Sequence, residues 1–120
     1  LSPMHERAQL GRRGEEIAAA FLERKGYTIL ERNYRLRQGE IDLIACQDAT
    51  IAFVEVKTRR TLDYGLPSEA VTYTKQQKIK ATALAYLQAQ EHYYQVLSFD
   101  VIEVLVQEGR ARLRWLPHCF

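Results

Sequence analysis

The chain has 120 residues, 47% hydrophobic and 27% charged, the balance of one ordinary globular domain. At that size roughly two thirds of the unfolded surface can be buried, enough for a real core. A net charge of +2 makes no bulk electrostatic demand for nucleic acid, and no apolar run approaches the roughly 20 residues of a membrane helix.

The first helix is expected from His5 to Lys25, because Leu10, Gly14, Ile17, Ala18, Phe21 and Leu22 recur at helical spacing. Leu1 to Pro3 are left outside it, and Gly26 supplies a C-terminal stop. Tyr27 to Tyr34 reads as a strand, Gln38-Gly39 as a turn and Glu40 to Cys46 as a second strand. A tight connection over Gln47 to Thr50 leads to a third strand, Ile51 to Thr58. Such a short link implies an antiparallel hairpin. Arg59 to Gly65 reads as a loop, and Pro67 can open a short helical turn over Ser68 to Val71. Thr74 and Gln77 fit a capping box, so the second helix is expected to start there and to end near Gln90. Val96 to Val106 is a fourth strand, Glu108-Gly109 a turn and Ala111 to Leu116 a fifth strand before Pro117. The order is α-β-β-β-α-β-β. The helix between strands three and four predicts a right-handed crossover and a parallel pair. The expectation is a single α/β domain over residues 5–117, a mixed five-stranded sheet flanked by helices.

Cys46 and Cys119 lie far apart and match no disulfide framework or zinc pattern. The N-terminus lacks an apolar signal region. A cytoplasmic protein with free thiols is the expectation.

The third strand carries the charges that need explaining. In Ile51-Ala52-Phe53-Val54-Glu55-Val56-Lys57, alternation points Glu55 and Lys57 to one face of an otherwise apolar run. Such charges cost several kcal/mol unless paired, hydrated or bound to a metal. On the second strand Ile41, Leu43 and Ala45 form one face and Glu40, Asp42 and Ile44 the other. If both strands direct their charges alike, Asp42 and Glu55 sit side by side. Adjacent carboxylates raise one pKa unless a cation lies between them. Mg²⁺ or Mn²⁺ suits such oxygen ligands. Lys57 would then hold a phosphate oxygen or orient the attacking water, as phosphodiester hydrolysis requires. The alternative is a buried carboxylate–lysine salt bridge holding no ligand.

Glu15 borders the apolar face of the first helix, whereas Glu16 lies on a more exposed stripe. Arg59, Arg60, Lys75 and Lys78 could meet phosphates, the last two from the start of a helix. Taken singly each is an ordinary solvated charge. Tyr34, Tyr64 and Tyr73 could stack bases or simply pack. Asp100, inside an apolar run, is assigned a structural role, accepting hydrogen bonds from a loop or an arginine. Trp115, Leu116 and Phe120 could cover an interface or the core.

Gly14-Glu15, Gly26-Tyr27, Arg32-Asn33-Tyr34, Gly39-Glu40-Ile41-Asp42-Leu43-Ile44, Phe53 to Arg59 and Phe99-Asp100-Val101 occur in an order and spacing that resembles the YraN-like family of uncharacterised bacterial proteins. The likeness runs from about Gly11 to Val104. That family is similar to archaeal Holliday junction resolvases of the restriction-endonuclease-like fold, with its PD-(D/E)xK site. The resemblance implies a nucleic-acid-binding fold with a nuclease-type site, a Mg²⁺ or Mn²⁺ cofactor, DNA as partner in repair or recombination, and a homodimer. By position it implies Asp42 and Glu55 as metal ligands, with Lys57, Glu15 and Gln76 completing the catalytic set. The hallmark proline is absent, since Ile41 precedes Asp42.

Overall fold

The fold was obtained as a computed structural model that describes residues 2–60 and 71–120. Helix α1 spans Pro3–Arg24 and starts two residues earlier than its apolar spacing predicts. Ser2 caps it by accepting the His5 amide, and Pro3 fills the first turn, where its missing N–H costs nothing. Strands β1 (Thr28–Leu36), β2 (Gly39–Gln47) and β3 (Thr50–Arg59) form an antiparallel meander. Helix α2 (Tyr73–Gln88) crosses over to β4 (Val96–Gln107), which lies parallel to β3, and β5 (Arg110–Leu116) returns antiparallel at the far edge. The sheet order is β1-β2-β3-β4-β5, the expected mixed five-stranded arrangement.

The start of α2 differs from the expected capping box. Thr72, not Thr74, is the N-cap, and its hydroxyl accepts the Lys75 amide at 3.2 Å. Either threonine suits the sequence signature; Thr72 has the extended backbone that a cap needs, and Thr74 already lies in the helix. The helical turn expected over residues 68–71 and the loop over 59–65 fall largely outside the described residues.

Each face of the sheet carries one apolar layer. Ala18, Ala19 and Leu22 of α1 pack on Leu43, Ala45, Ala52, Val54, Ile102 and Val104. Ile79, Ala83 and Tyr86 of α2 pack on Ile44, Ile51, Phe53 and Val101. Helix α1 lies very close to β3 at Gly14. A Cβ there would stand 1.8 Å from the Thr58 hydroxyl oxygen. Only glycine allows this approach, and it holds Glu15 over the end of β3.

Strands β1 and β2 shift register between Ile29 and Glu31 and change face again nearer the site. Leu43 packs under α1, but Ile41 joins the α2 layer with Tyr34. This corrects the expected grouping of Ile41 with Leu43 and Ala45. The physical reason is local. Asn33 takes a left-handed φ of 50° between Arg32, paired with Leu43, and Tyr34, paired with Ile41. Asparagine tolerates that region better than most side chains. Both strands therefore change face at Asn33 and Asp42.

Candidate active site

The β2–β3 ladder runs from Gln47↔Thr50 to Leu43↔Val54. The next step in that register would set Asp42 opposite Glu55. There the Asp42 carboxylate replaces a backbone acceptor: its Oδ2 receives the Val56 amide at 2.8 Å. The strands diverge beyond it, because β2 continues paired only with β1. The opening between them is a cleft of about 340 Å³, lined by Glu40, Asp42, Glu55, Thr72, Lys75 and Lys78 among others.

Glu55 is only 5% exposed and forms an ion pair with Lys75. Asp42 is pushed up to about 7, first by burial and then by the Glu55 charge, against the opposing Val56 hydrogen bond. Two carboxylates facing one another in a half-dry site repel, and a cation between them would relieve that repulsion. Burial and the Lys75 charge lower the pKa of Lys57, opposed by Glu55 and Asp42. Burial also disfavours the Lys75 ammonium, but its hydrogen bond to Glu55 and the Glu55 and Asp42 charges outweigh this and raise its pKa. Of these two adjoining amines, Lys57 releases its proton more readily.

Glu15 reaches the same neighbourhood from α1. Burial raises its pKa, a hydrogen bond with Asn33 lowers it, and the Glu40 and Glu55 charges raise it again. Sequence reasoning missed Asn33, which holds Glu15, and Glu40, which lines the cleft. Glu40 was in view, since it shares a strand face with Asp42 by alternation. Asn33 stands in the Arg32-Asn33-Tyr34 motif, but a strand-like run gives it no site role.

Gln76 lies elsewhere. Its side-chain amide donates to the Val71 carbonyl at 3.0 Å. The α2 residue that enters the carboxylate pair is Lys75. Arg59 is largely covered and faces Glu103 at 3.2 Å, with side chains 12% and 11% exposed. Lys78 lines the cleft, and Arg60 is exposed at the end of β3. Tyr34 packs edge-on against Tyr86, Tyr73 is 75% exposed, and Tyr64 lies outside the described residues. Asp100 accepts from Ser98, the Trp115 indole and the His118 amide, a structural role in which the described residues show no arginine. Trp115 packs edge-on against Phe21 and Tyr27, and Phe120 lies against Phe99.

The donor set fits a hard divalent cation with limits. Asp42 and Glu55 offer carboxylate oxygens in one cleft, yet among the described residues no three Asp, Glu, His or Cys side chains converge as a ready-made cage. A two-carboxylate site suits Mg²⁺, which keeps several waters. Among the described residues no helix is long and apolar enough to cross a membrane.

Comparison with known proteins agrees with this layout in extent. Residues 14–104 match the family described as "Uncharacterised protein family UPF0102". A UPF0102 protein of Syntrophomonas wolfei subsp. wolfei is 45% identical over 112 residues, covering 93% of this chain and 97% of the relative. One from Nocardia farcinica is 50% identical over 109 residues, covering 91% and 86%. Another from Prosthecochloris aestuarii is 51% identical over 106 residues, covering 86% and 84%.

Proposed function

We propose that this chain, which belongs to the uncharacterised protein family UPF0102, is a Mg²⁺-dependent endonuclease acting on structured or branched DNA. One observation carries the reading. Two carboxylates, Asp42 and Glu55, share a cleft with two lysines, and Asp42 is pushed up to about 7 there. A pair held at such a cost is what a cation-binding site has before its cation arrives.

Asp42 and Glu55 would hold the ion. When bound, Mg²⁺ or Mn²⁺ supplies positive charge that polarises the phosphoryl group and acidifies the attacking water. The chain's own residues do the rest. Lys57, beside Glu55 and Asp42, orients the attacking water, whose proton passes to solvent as its oxygen bonds to phosphorus. Lys75 keeps its charge and faces the negative charge that builds on the phosphoryl oxygens. The alkoxide released when the P–O bond breaks takes a proton from solvent water, and Glu15, held by Asn33, helps to order that water. Cutting both strands of a junction calls for two such sites, so the working form is a homodimer.

Purified protein should cut a branched DNA with Mg²⁺, and Asp42→Ala should lower the rate by at least about 100-fold, the scale on which catalytic groups act. Circular dichroism must show the variant folded. Equal cutting by the variant would place the chemistry elsewhere. A second reading has its own observation: the Lys75–Glu55 ion pair already satisfies one carboxylate. On that reading the fold binds nucleic acid without cleaving it. Tight binding, with no cutting in either Mg²⁺ or Mn²⁺, would select it.

A further inference from the structure

We infer that a second, arginine-lined groove at the β4–β5 end of the sheet holds the phosphate backbone of the nucleic acid whose scissile bond enters the carboxylate cleft. The groove has a volume of about 680 Å³ and is lined by Arg13, Arg60, Arg110 and Arg112, with Gln107 and Glu108. All four arginines are exposed. None of their guanidinium groups forms an ion pair with a described residue. Four cations around one concavity repel each other, and the arrangement gains from an anion lying between them. The guanidinium fork fits phosphate oxygens two at a time.

The groove has the right position for a strand leaving the cleft. Arg112 pairs with Leu105 and Arg110 with Gln107. Along β4 these two residues alternate in phase with Val101 and Glu103, which stand beside Glu55 and Lys57 of β3. By strand alternation Arg110 and Arg112 therefore point to the same sheet face as Glu55 and Lys57. Arg60 follows the last residue of β3, and its carbonyl receives the Gln107 side-chain amide at 3.1 Å, which ties the rim of the groove to the β4–β5 hairpin. From Glu55 to Arg59 the strand covers about 13 Å at ~3.3 Å per residue. That equals about four base pairs of rise along one strand. The groove thus opens at the C-terminal ends of the parallel strands, beyond Glu55 and Lys57, where open α/β sheets bind ligands. An isolated phosphate would need only one or two of these arginines; their spread over α1, β3 and the β4–β5 hairpin suits a polyanion.

The inference rests on the nucleic-acid reading but not on cleavage, so the test uses labelled four-way-junction and duplex DNA in EDTA. Wild type is compared with the Arg110→Ala/Arg112→Ala double variant. Both substituted residues are exposed, so the melting temperature should hold. The double variant should bind on the order of tenfold more weakly at physiological salt, and the slope of log K against log salt should flatten by about 2, at ~0.9 per lost phosphate contact. Unchanged affinity and slope would overturn the inference, as would wild type that binds poly-glutamate and not DNA. Binding that flattens in this way without any cleavage in Mg²⁺ supports the groove and removes the nuclease. Cleavage by a double variant of undiminished affinity does the reverse.

Discussion

Replacing Asp42 by Asn should stabilise the metal-free protein at pH 8 and remove its response to Mg²⁺. Asparagine keeps a side-chain oxygen for the Val56 amide and deletes the charge that faces Glu55. The Asp42 carboxyl moves from an ordinary 3.8 to about 7 on folding. Between those values the folded chain holds a proton that the unfolded chain has lost. Stability therefore falls as pH rises through this window, and the penalty is complete above about 7. At ~1.4 kcal/mol per pH unit it reaches at most about 4 kcal/mol. Water entering the open cleft reduces this, and about 2 kcal/mol is a fair lower figure. With roughly 4 °C of melting temperature per kcal/mol at this chain length, Asp42→Asn should melt about 10 °C above wild type at pH 8. Below about pH 4, where Asp42 is protonated in folded and unfolded chains alike, the two should nearly coincide. Mg²⁺ at ten times its dissociation constant should stabilise wild type by about 1.4 kcal/mol. The gain should grow from pH 6 to 8, because binding displaces the Asp42 proton. Thermal melts of both proteins across this pH range, with and without Mg²⁺, give every quantity. A variant less stable than wild type at pH 8, or one that keeps the Mg²⁺ shift, would refute the account of Asp42 as a strained ligand.

Lys75→Met keeps the aliphatic stem but leaves Glu55 without its ion-pair partner. Metal-free stability should fall by about 1–3 kcal/mol, given that Lys75 is partly exposed. Its Mg²⁺ shift in thermal melts should exceed that of wild type, since no ammonium competes for Glu55; an equal shift would mean that cation and lysine do not share the carboxylate. Gly14→Ala drives a methyl group into Thr58, with three side-chain atoms under 3.0 Å. Urea denaturation should show a loss of about 2–3 kcal/mol, partly recovered by adding Thr58→Ala, and no loss would mean that α1 moves away freely.

Much of this layout was legible because it depends on local rules. Periodicity placed both helices, and short apolar runs with turn residues between them placed all five strands. The α2 crossover predicted the parallel β3–β4 pair. Asp42 and Glu55 stood out as charges in apolar strands. The missed features depend on relations between elements. Whether Lys75 or Gln76 enters the cleft turns on the placement of α2, which Thr72 caps two residues earlier than the Thr74–Gln77 signature suggests. Arg59 looked like a phosphate contact until its neighbour across the parallel ladder brought Glu103 within reach. The Asn33 irregularity violates the alternation on which strand reading depends.

That irregularity also explains why the cleft exists. A regular β2 would pair with β3 through Asp42 and continue as a closed ladder, leaving no space between the strands. Asn33 instead turns β1 at the residue facing Asp42, and both strands change face together. The Asp42 carboxylate then takes the Val56 amide that an unbroken ladder would have given to a backbone carbonyl. One side chain thus terminates the β2–β3 pairing, opens the cleft and supplies a half-buried carboxylate beside buried Glu55. A hydrogen-bonding isostere such as asparagine can preserve the first two roles but not the third. This is why substitution at Asp42 can separate the architecture of the cleft from its chemistry.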